Sequence, residues 1–162
     1  MSNIIYNDNG TVWKKHKDHS SYKTVFPILE KYKLNFIPKI LEWDDEGYKY
    51  KYIDEMILED YQIGIKDSHA RMKMILEVKM AMDDIWKKLY QISIENLEVG
   101  CFLWYDDPNL ANLIWLDDNK KLILLDIDSF CIGNYVPISY INNIMIQQLE
   151  TNMIRETWTK KF

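Results

Sequence analysis

The stretch from Trp104 to Phe130, W-Y-D-D-P-N-L-A-N-L-I-W-L-D-D-N-K-K-L-I-L-L-D-I-D-S-F, constrains this chain more than any other segment. It opens with an acidic loop in which Asp107 is followed five positions later by Asn112. Two apolar runs come next, 113–116 and 122–125, and the polar residues between them predict a hairpin. The second run ends in Asp126-Ile127-Asp128, which returns carboxylates towards the loop carrying Asp107 and Asn112. Either half alone says little, because D-D-P-N is an ordinary turn sequence and an Asp at a strand end is common. The combined order of loop, Asn, apolar strand, polar turn, apolar strand and D-x-D is far rarer. The bland alternative is a solvent-facing acidic loop plus a hairpin in some other α+β domain.

Composition narrows the chemistry. With 162 residues, 48% of them hydrophobic, the chain can bury one good core and is expected to form a single compact unit. A formal net charge of −5 argues against a nucleic-acid partner recognised through its phosphates. Cys101 and Cys131 are too few for a disulfide framework or a zinc site, and read as reduced, half-buried thiols of a cytoplasmic protein. The start M-S-N-I-I-Y-N-D lacks a charged and then apolar leader. No apolar run approaches the roughly 18 residues that a membrane span needs, so no membrane association is expected. The abundance of Ile, Lys, Asn, Asp and Met suits an AT-rich genome, a viral one among them.

The first third reads as a small antiparallel sheet with one helix. Asn3 to Tyr6 and Thr11 to Lys15 flank N-D-N-G, whose Asn9-Gly10 pair favours a type I′ hairpin turn. A helix is expected from Pro27, which fits a first turn because its missing N–H costs nothing there. F-I-P-K-I-L-E-W is expected as a strand with Pro38 at its start or on an edge. The turn at 44–47 leads into Y-K-Y-K-Y-I, where Tyr48, Tyr50 and Tyr52 alternate onto one face. Residues 16–23 are polar and assigned to no element, and His16 and His19, lacking a third ligand nearby, read as a polar surface pair.

From about His69 to Gln91, Ile75, Val78, Met82, Ile85 and Leu89 recur at helical spacing, with Lys73, Glu77, Asp84, Lys87 and Lys88 off that stripe. This predicts a long amphipathic helix capped by Asp67 or Ser68. Met72, Met74, Met80 and Met82 read as core filling. A last helix is expected from about Ile138 to Trp158. No repeat, low-complexity tract or Gly/Ser linker interrupts the chain. Two tightly apposed lobes are expected, residues 1–55 and 56–162, joined near Asp54–Gln62.

Phosphoryl transfer asks mainly for a divalent metal against the phosphates, a positive group on the non-transferred phosphates and an acceptor held in line. Carboxylate and amide oxygens suit hard Mg2+. On that chemistry Asp107 would orient an acceptor hydroxyl and take its proton, Asn112 would hold metal through its amide oxygen, and Asp126 would bridge metal and phosphates. Here the chain resembles the protein-kinase-like superfamily, in the branch of aminoglycoside and choline phosphotransferases. In that family H-x-D-x-x-x-x-N precedes a hairpin and an apolar strand ending in D-F-G or D-x-D. Tyr105-Asp106-Asp107 with Asn112 matches the first motif apart from its His, and Asp126-Ile127-Asp128 matches the second.

The resemblance implies a two-lobed α+β fold: a truncated, small antiparallel N-terminal sheet with one helix, and a reduced helical C-terminal lobe carrying the catalytic-loop-like segment 104–130. It implies ATP and Mg2+ as cofactors, Asp107 as the catalytic base, and Asn112 and Asp126 as metal ligands with Asp128 assisting. A phosphate-clamping Lys is implied on T-V-W-K-K. Lys14 is preferred to Lys15 because Val12 then shares its face and lines the adenine pocket. Glu30 would orient that Lys, and Tyr52, Ile53 and Asp54 would form the adenine-binding hinge.

Three departures bear on activity. Tyr105 stands where the family has His. Gly10 is the sole glycine ahead of Lys14, so no glycine-rich phosphate loop is legible. The chain ends soon after Asp128, with too little sequence for the segments that grip protein substrates. The expected activity is Mg-ATP-dependent phosphorylation of a small molecule or an exposed hydroxyl. The alternative is a pseudokinase, a nucleotide-binding or protein-interaction and inhibitory module without turnover.

Overall fold

In a computed structural model, residues 4–7, 9–134 and 145–150 of the chain are described. The N-terminal half folds as one four-stranded antiparallel sheet in the order β1-β2-β4-β3. Strands β1 (Ile4–Asn7) and β2 (Thr11–Lys15) pair up to Asn7 opposite Thr11, so their connection is longer than the two-residue turn expected. Gly10 supplies the left-handed residue of that connection, at φ 68°. Strands β3 (Ile40–Trp43) and β4 (Gly47–Lys51) form the second hairpin, and Pro38 precedes β3, an edge strand.

Helix α1 (Tyr22–Tyr32) starts before Pro27 rather than at it, so the proline lies inside the helix. There it withholds the N–H that would bond the carbonyl of Lys23, at an exposed residue. Burial of Val25, Phe26, Ile28 and Leu29 on one side of the helix outweighs that loss.

The segment expected to be a plain joint contains helix α2 (Leu58–Gly64). Helix α3 (Ser68–Asn96) follows, and the Asp67 carboxylate caps it by accepting from the Ala70 N–H at 2.7 Å. Buried Arg71 donates to the carbonyls of Gln62 and Ile65 at 2.9 and 2.8 Å, satisfying the end of α2 from the first turn of α3. All five stripe residues of α3 are buried. Of the four methionines, Met74 and Met82 join the core, whereas Met72 and Met80 are exposed, off the stripe.

Strands β6 (Leu113–Leu116) and β7 (Lys121–Leu124) form the expected hairpin, Leu113 opposite Leu124. Strands β5 (Phe102–Tyr105) and β8 (Phe130–Gly133) pair antiparallel around it, which periodicity alone did not suggest. The sheet half and the hairpin are tied where the Leu124 N–H donates to the Phe36 carbonyl at 2.8 Å. The ends of α1 and α3 meet where the Tyr32 hydroxyl donates to Glu95 at 2.6 Å. Residues 145–150 are helical, with Met145 and Leu149 buried, while the remainder of the expected last helix lies outside the described residues. Cys101 and Cys131 are free and half-buried. Among the described residues, no helix is long and apolar enough to cross a membrane.

Candidate functional site

Two backbone bonds assemble the site. The Leu125 N–H donates to the Asn112 carbonyl at 2.8 Å, extending the β6–β7 ladder by one step so that Asp126 emerges beside the Asn112 loop. The Asp106 N–H donates to the Ser129 carbonyl at 2.9 Å, continuing the β5–β8 ladder and laying the acidic loop along Asp126 to Ser129. Alternation of apolar residues builds both ladders, and their ends bring residues distant in sequence to one place.

Asp107 is held as an oriented acceptor. Its Oδ1 accepts from Asn109 Nδ2 at 3.0 Å and its Oδ2 from Asn112 Nδ2 at 3.0 Å, and Asn112 also donates to the Asp107 carbonyl at 3.2 Å. The Asn109 amide oxygen meanwhile caps the next turn at the Ala111 N–H, 2.9 Å away. Asn112 therefore spends its nitrogen on Asp107, and its oxygen is the atom left for a cation.

Strand β2 reaches this loop from the opposite side. Lys14 Nζ lies 2.6 Å from Asp126 Oδ1, and the Lys17 ammonium bonds Asp126 Oδ2 and the Ser129 hydroxyl, the latter at 3.0 Å. The Ser129 hydroxyl also donates to Asp126 Oδ2 at 3.0 Å. Burial alone would raise the Asp126 carboxyl, but the bonds from Lys14 and Lys17 outweigh it and hold the group below the usual carboxylate range. Burial pulls the Lys17 ammonium down, and Asp126, Asp106 and Asp107 together overcome it and raise the group. Desolvation pushes the neighbouring Asp106 carboxyl up, with Lys17 opposing.

Asp128, expected to assist at the metal, is engaged by protein groups in the structure. Its side chain is closed off from solvent, with Oδ1 taken by His16 Nδ1 at 3.0 Å and the Ser20 hydroxyl at 3.2 Å, and Oδ2 by the Lys17 N–H at 3.1 Å. A carboxylate so engaged anchors the turn after β2. His16 is likewise no surface residue: it is buried, stacked on Tyr22 with ring centroids 3.8 Å apart, and its Nε2 faces the Asp44 carbonyl at 2.9 Å.

Val12 is buried on the Lys14 face of β2, opposite Tyr50 of β4. Glu30 is exposed and lies off the buried stripe of α1, and the carboxylate that meets Lys14 is Asp126 instead. Tyr52 and Asp54 are exposed and Ile53 half-buried along the link from β4 to α2, with the Tyr52 N–H bonded to the Gly10 carbonyl at 2.9 Å. Lys17, His16 and Ser129 were not anticipated, and the only local signal was the density of cationic residues in K-K-H-K. A cavity of about 550 Å3 elsewhere is lined by residues including Lys33, Phe36, Ile85 and Lys120, and shares no residue with this cluster.

The Asp126 carboxylate and the Asn112 amide oxygen are hard donors of the kind that suits Mg2+, on residues joined by the Leu125–Asn112 backbone bond. Among the described residues no group of three or more His, Cys, Asp or Glu side chains is arranged to hold a metal by itself, so a ligand would have to complete the shell.

No family model and no curated protein matches the chain. Among solved structures it is similar to aminoglycoside phosphotransferase APH(2'')-Ib bound to ADP, at 15% identity and a TM-score of 0.41, over 82% of this chain and 64% of that one. It is also similar to a choline/ethanolamine kinase family protein from Mesorhizobium loti, at 12% identity and a TM-score of 0.46, over 82% and 57%. The streptomycin-ATP-APH(2'')-IIa complex matches at 15% identity and a TM-score of 0.37, over 82% and 68%. The chain thus spans roughly 57–68% of the length of these three proteins. All three likenesses stay at or below 15% identity and a TM-score of 0.46, and none carries an argument about substrate or catalysis.

Proposed function

We propose that the chain binds ATP with Mg2+ and transfers the terminal phosphoryl group to a hydroxyl of a small molecule. The observation that carries this reading is the 2.6 Å contact between Lys14 and Asp126, made beside the bonded pair Asp107 and Asn112. A strand Lys, a D-x-D Asp, an Asn and an oriented Asp thereby lie close together, which suits what phosphoryl transfer needs from a protein. The neighbouring structures include complexes of APH(2'') enzymes with ATP, with ADP and with aminoglycosides. Nucleotide and a small polyhydroxy acceptor are accordingly the ligands proposed here.

Lys14 would leave Asp126 for the non-transferred phosphates, supported from behind by Val12 on the adenine side. Asp126 and the Asn112 amide oxygen would hold Mg2+, which when bound neutralises charge on the phosphate oxygens. Asp107 would accept the hydroxyl proton as the acceptor oxygen attacks the terminal phosphorus and the bond to ADP breaks. Residues 52–54 would meet adenine through backbone groups between lobes 1–55 and 56–162. The free, half-buried thiols fit a reducing, cytoplasmic setting.

A second reading, nucleotide binding without turnover, is favoured by the double ammonium contact on Asp126, which neutralises the carboxylate that would hold metal. Thermal unfolding with and without Mg-ATP, followed by ADP release, separates the two for wild type, Asp107→Ala and Asp126→Ala. At about 100 times Kd, one nucleotide site adds about 2.7 kcal/mol of stability. No shift at millimolar Mg-ATP would sink both readings, while a shift without ADP release, with an acceptor panel present, would leave the binding module.

A further inference from the structure

We propose that Lys17 is a second phosphate-binding cation of this cleft, held in place by Asp128 and parked on Asp126 until nucleotide arrives. The inference rests on the nucleotide reading above and adds a residue that the family pattern does not supply.

The mount and the head of Lys17 are held differently. Its backbone N–H is pinned by Asp128 Oδ2 at 3.1 Å, and that carboxylate is itself fixed by His16 and Ser20. The position of the Lys17 backbone beside Asp126 is therefore set by a buried cluster. Its side chain, by contrast, is 45% exposed, against 13% for Lys14. An ammonium at that exposure can swing out at small cost, because water replaces the bonds it leaves.

Charge points the same way. Asp126 carries one negative charge and receives two ammonium groups, Lys14 on Oδ1 and Lys17 on Oδ2. One cation satisfies that carboxylate, and Lys17, drawn also by Asp106 and Asp107, is the more exposed of the two and the one able to turn to phosphates. Phosphate oxygens would take both lysines through charge-assisted bonds. Lys14 enters from the strand and Lys17 from the turn beyond it, so the two would grip the phosphate chain from different points. Backbone N–H groups of a glycine-rich turn cover phosphates in many nucleotide sites, whereas between Met1 and Lys14 this chain carries Gly10 alone. A mobile ammonium on a rigid mount supplies comparable positive charge.

The test is direct titration of the purified chain with adenosine, ADP and ATP in Mg2+, by calorimetry, for wild type, Lys17→Gln, Lys17→Arg and Lys33→Gln. The expected result is a loss of about tenfold in ATP affinity for Lys17→Gln, less for ADP and none for adenosine. Lys17→Arg should restore most of it, and Lys33→Gln should behave as wild type. Unchanged or tighter ATP binding by Lys17→Gln would overturn the role of Lys17 while leaving the nucleotide site standing. An equal loss for adenosine and ATP, with a lower unfolding temperature, would show a structural role only and overturn it too. Absence of ATP binding by wild type would remove the nucleotide reading and this inference together.

Discussion

His16 and Asp128 form a buried pair in which Nδ1 lies 3.0 Å from Oδ1 while Nε2 lies 2.9 Å from the Asp44 carbonyl. A carbonyl can only accept, so Nε2 carries a hydrogen. Nδ1 faces a carboxylate oxygen, so both ring nitrogens meet acceptor oxygens. The pair links the end of β2 to the segment after β7, and with the Lys17 N–H and the Ser20 hydroxyl it completes the shell of Asp128.

His16→Ala is therefore expected to lower stability by about 2–3 kcal/mol, because it strands a buried carboxylate with one strong donor missing. Urea denaturation gives the number. His19→Ala, at an exposed neighbour, is the control and should stay within about 0.5 kcal/mol. Equal effects of the two substitutions would show that the buried pair is energetically idle.

Gly47 sits opposite Lys15 in the β2–β4 ladder, and a Cβ placed on it would collide with the Lys14 carbonyl and approach the Trp13 ring to 2.7 Å. Backbone cannot yield as a flexible side chain does, so Gly47→Ala should cost about 1–3 kcal/mol by overpacking. It should also weaken Mg-ATP binding, because the strand that carries Lys14 has to move. Gly64→Ala meets nothing within 4 Å and should leave the urea midpoint equal or slightly higher.

These two cases show what the sequence could and could not tell. The stripe Ile75 to Leu89, the Asp67 cap and the 113–125 hairpin depend on neighbours within a few positions, and local pattern located them. Lys14 and Asp126 could be paired only through a family resemblance, since 112 positions separate them. His16 and Lys17 were illegible because polarity reads as surface until a distant carboxylate closes over it. Glu30 was chosen on the resemblance alone, with no local signal for its side of α1, and in the structure it is exposed and off the buried stripe.

Alkaline titration should reveal the buried phenols and thiol. Burial, reinforced by Asp128 and Asp126, pushes Tyr48 far above its ordinary range, and burial with Asp126 does the same to Tyr105. Burial with Asp106 pushes the Cys131 thiol up to about 12. A raised folded-state value means that stability is intact below the unfolded value, near 10 for Tyr, and is lost as pH rises beyond it. Absorbance of phenolate is therefore expected to appear in two stages, with Tyr48 and Tyr105 ionising only as the chain unfolds. Cys131 should resist alkylation at pH 8 until denaturant is added. A single smooth transition accounting for all eleven tyrosines while the fold is intact would contradict the burial described here.

Asp126 and Asp128 sit two positions apart and should fail in opposite ways. Asp128 has its side chain closed from solvent and three protein donors upon it, so Asp128→Asn replaces an acceptor-only group with one that also presents N–H to donors. Stability should drop by about 2–3 kcal/mol, and any Mg2+ dependence of nucleotide binding should survive in the folded fraction. Asp126 faces the cleft and meets two lysine side chains, of which Lys17 can turn to water. Asp126→Asn should therefore cost less stability than Asp128→Asn. It should also abolish the dependence of nucleotide affinity on Mg2+, because the carboxylate that would hold the ion is gone. Affinity measured with Mg2+ and with EDTA, beside urea midpoints for both variants, decides it: a Mg2+ effect lost in Asp128→Asn but kept in Asp126→Asn would reverse the two roles.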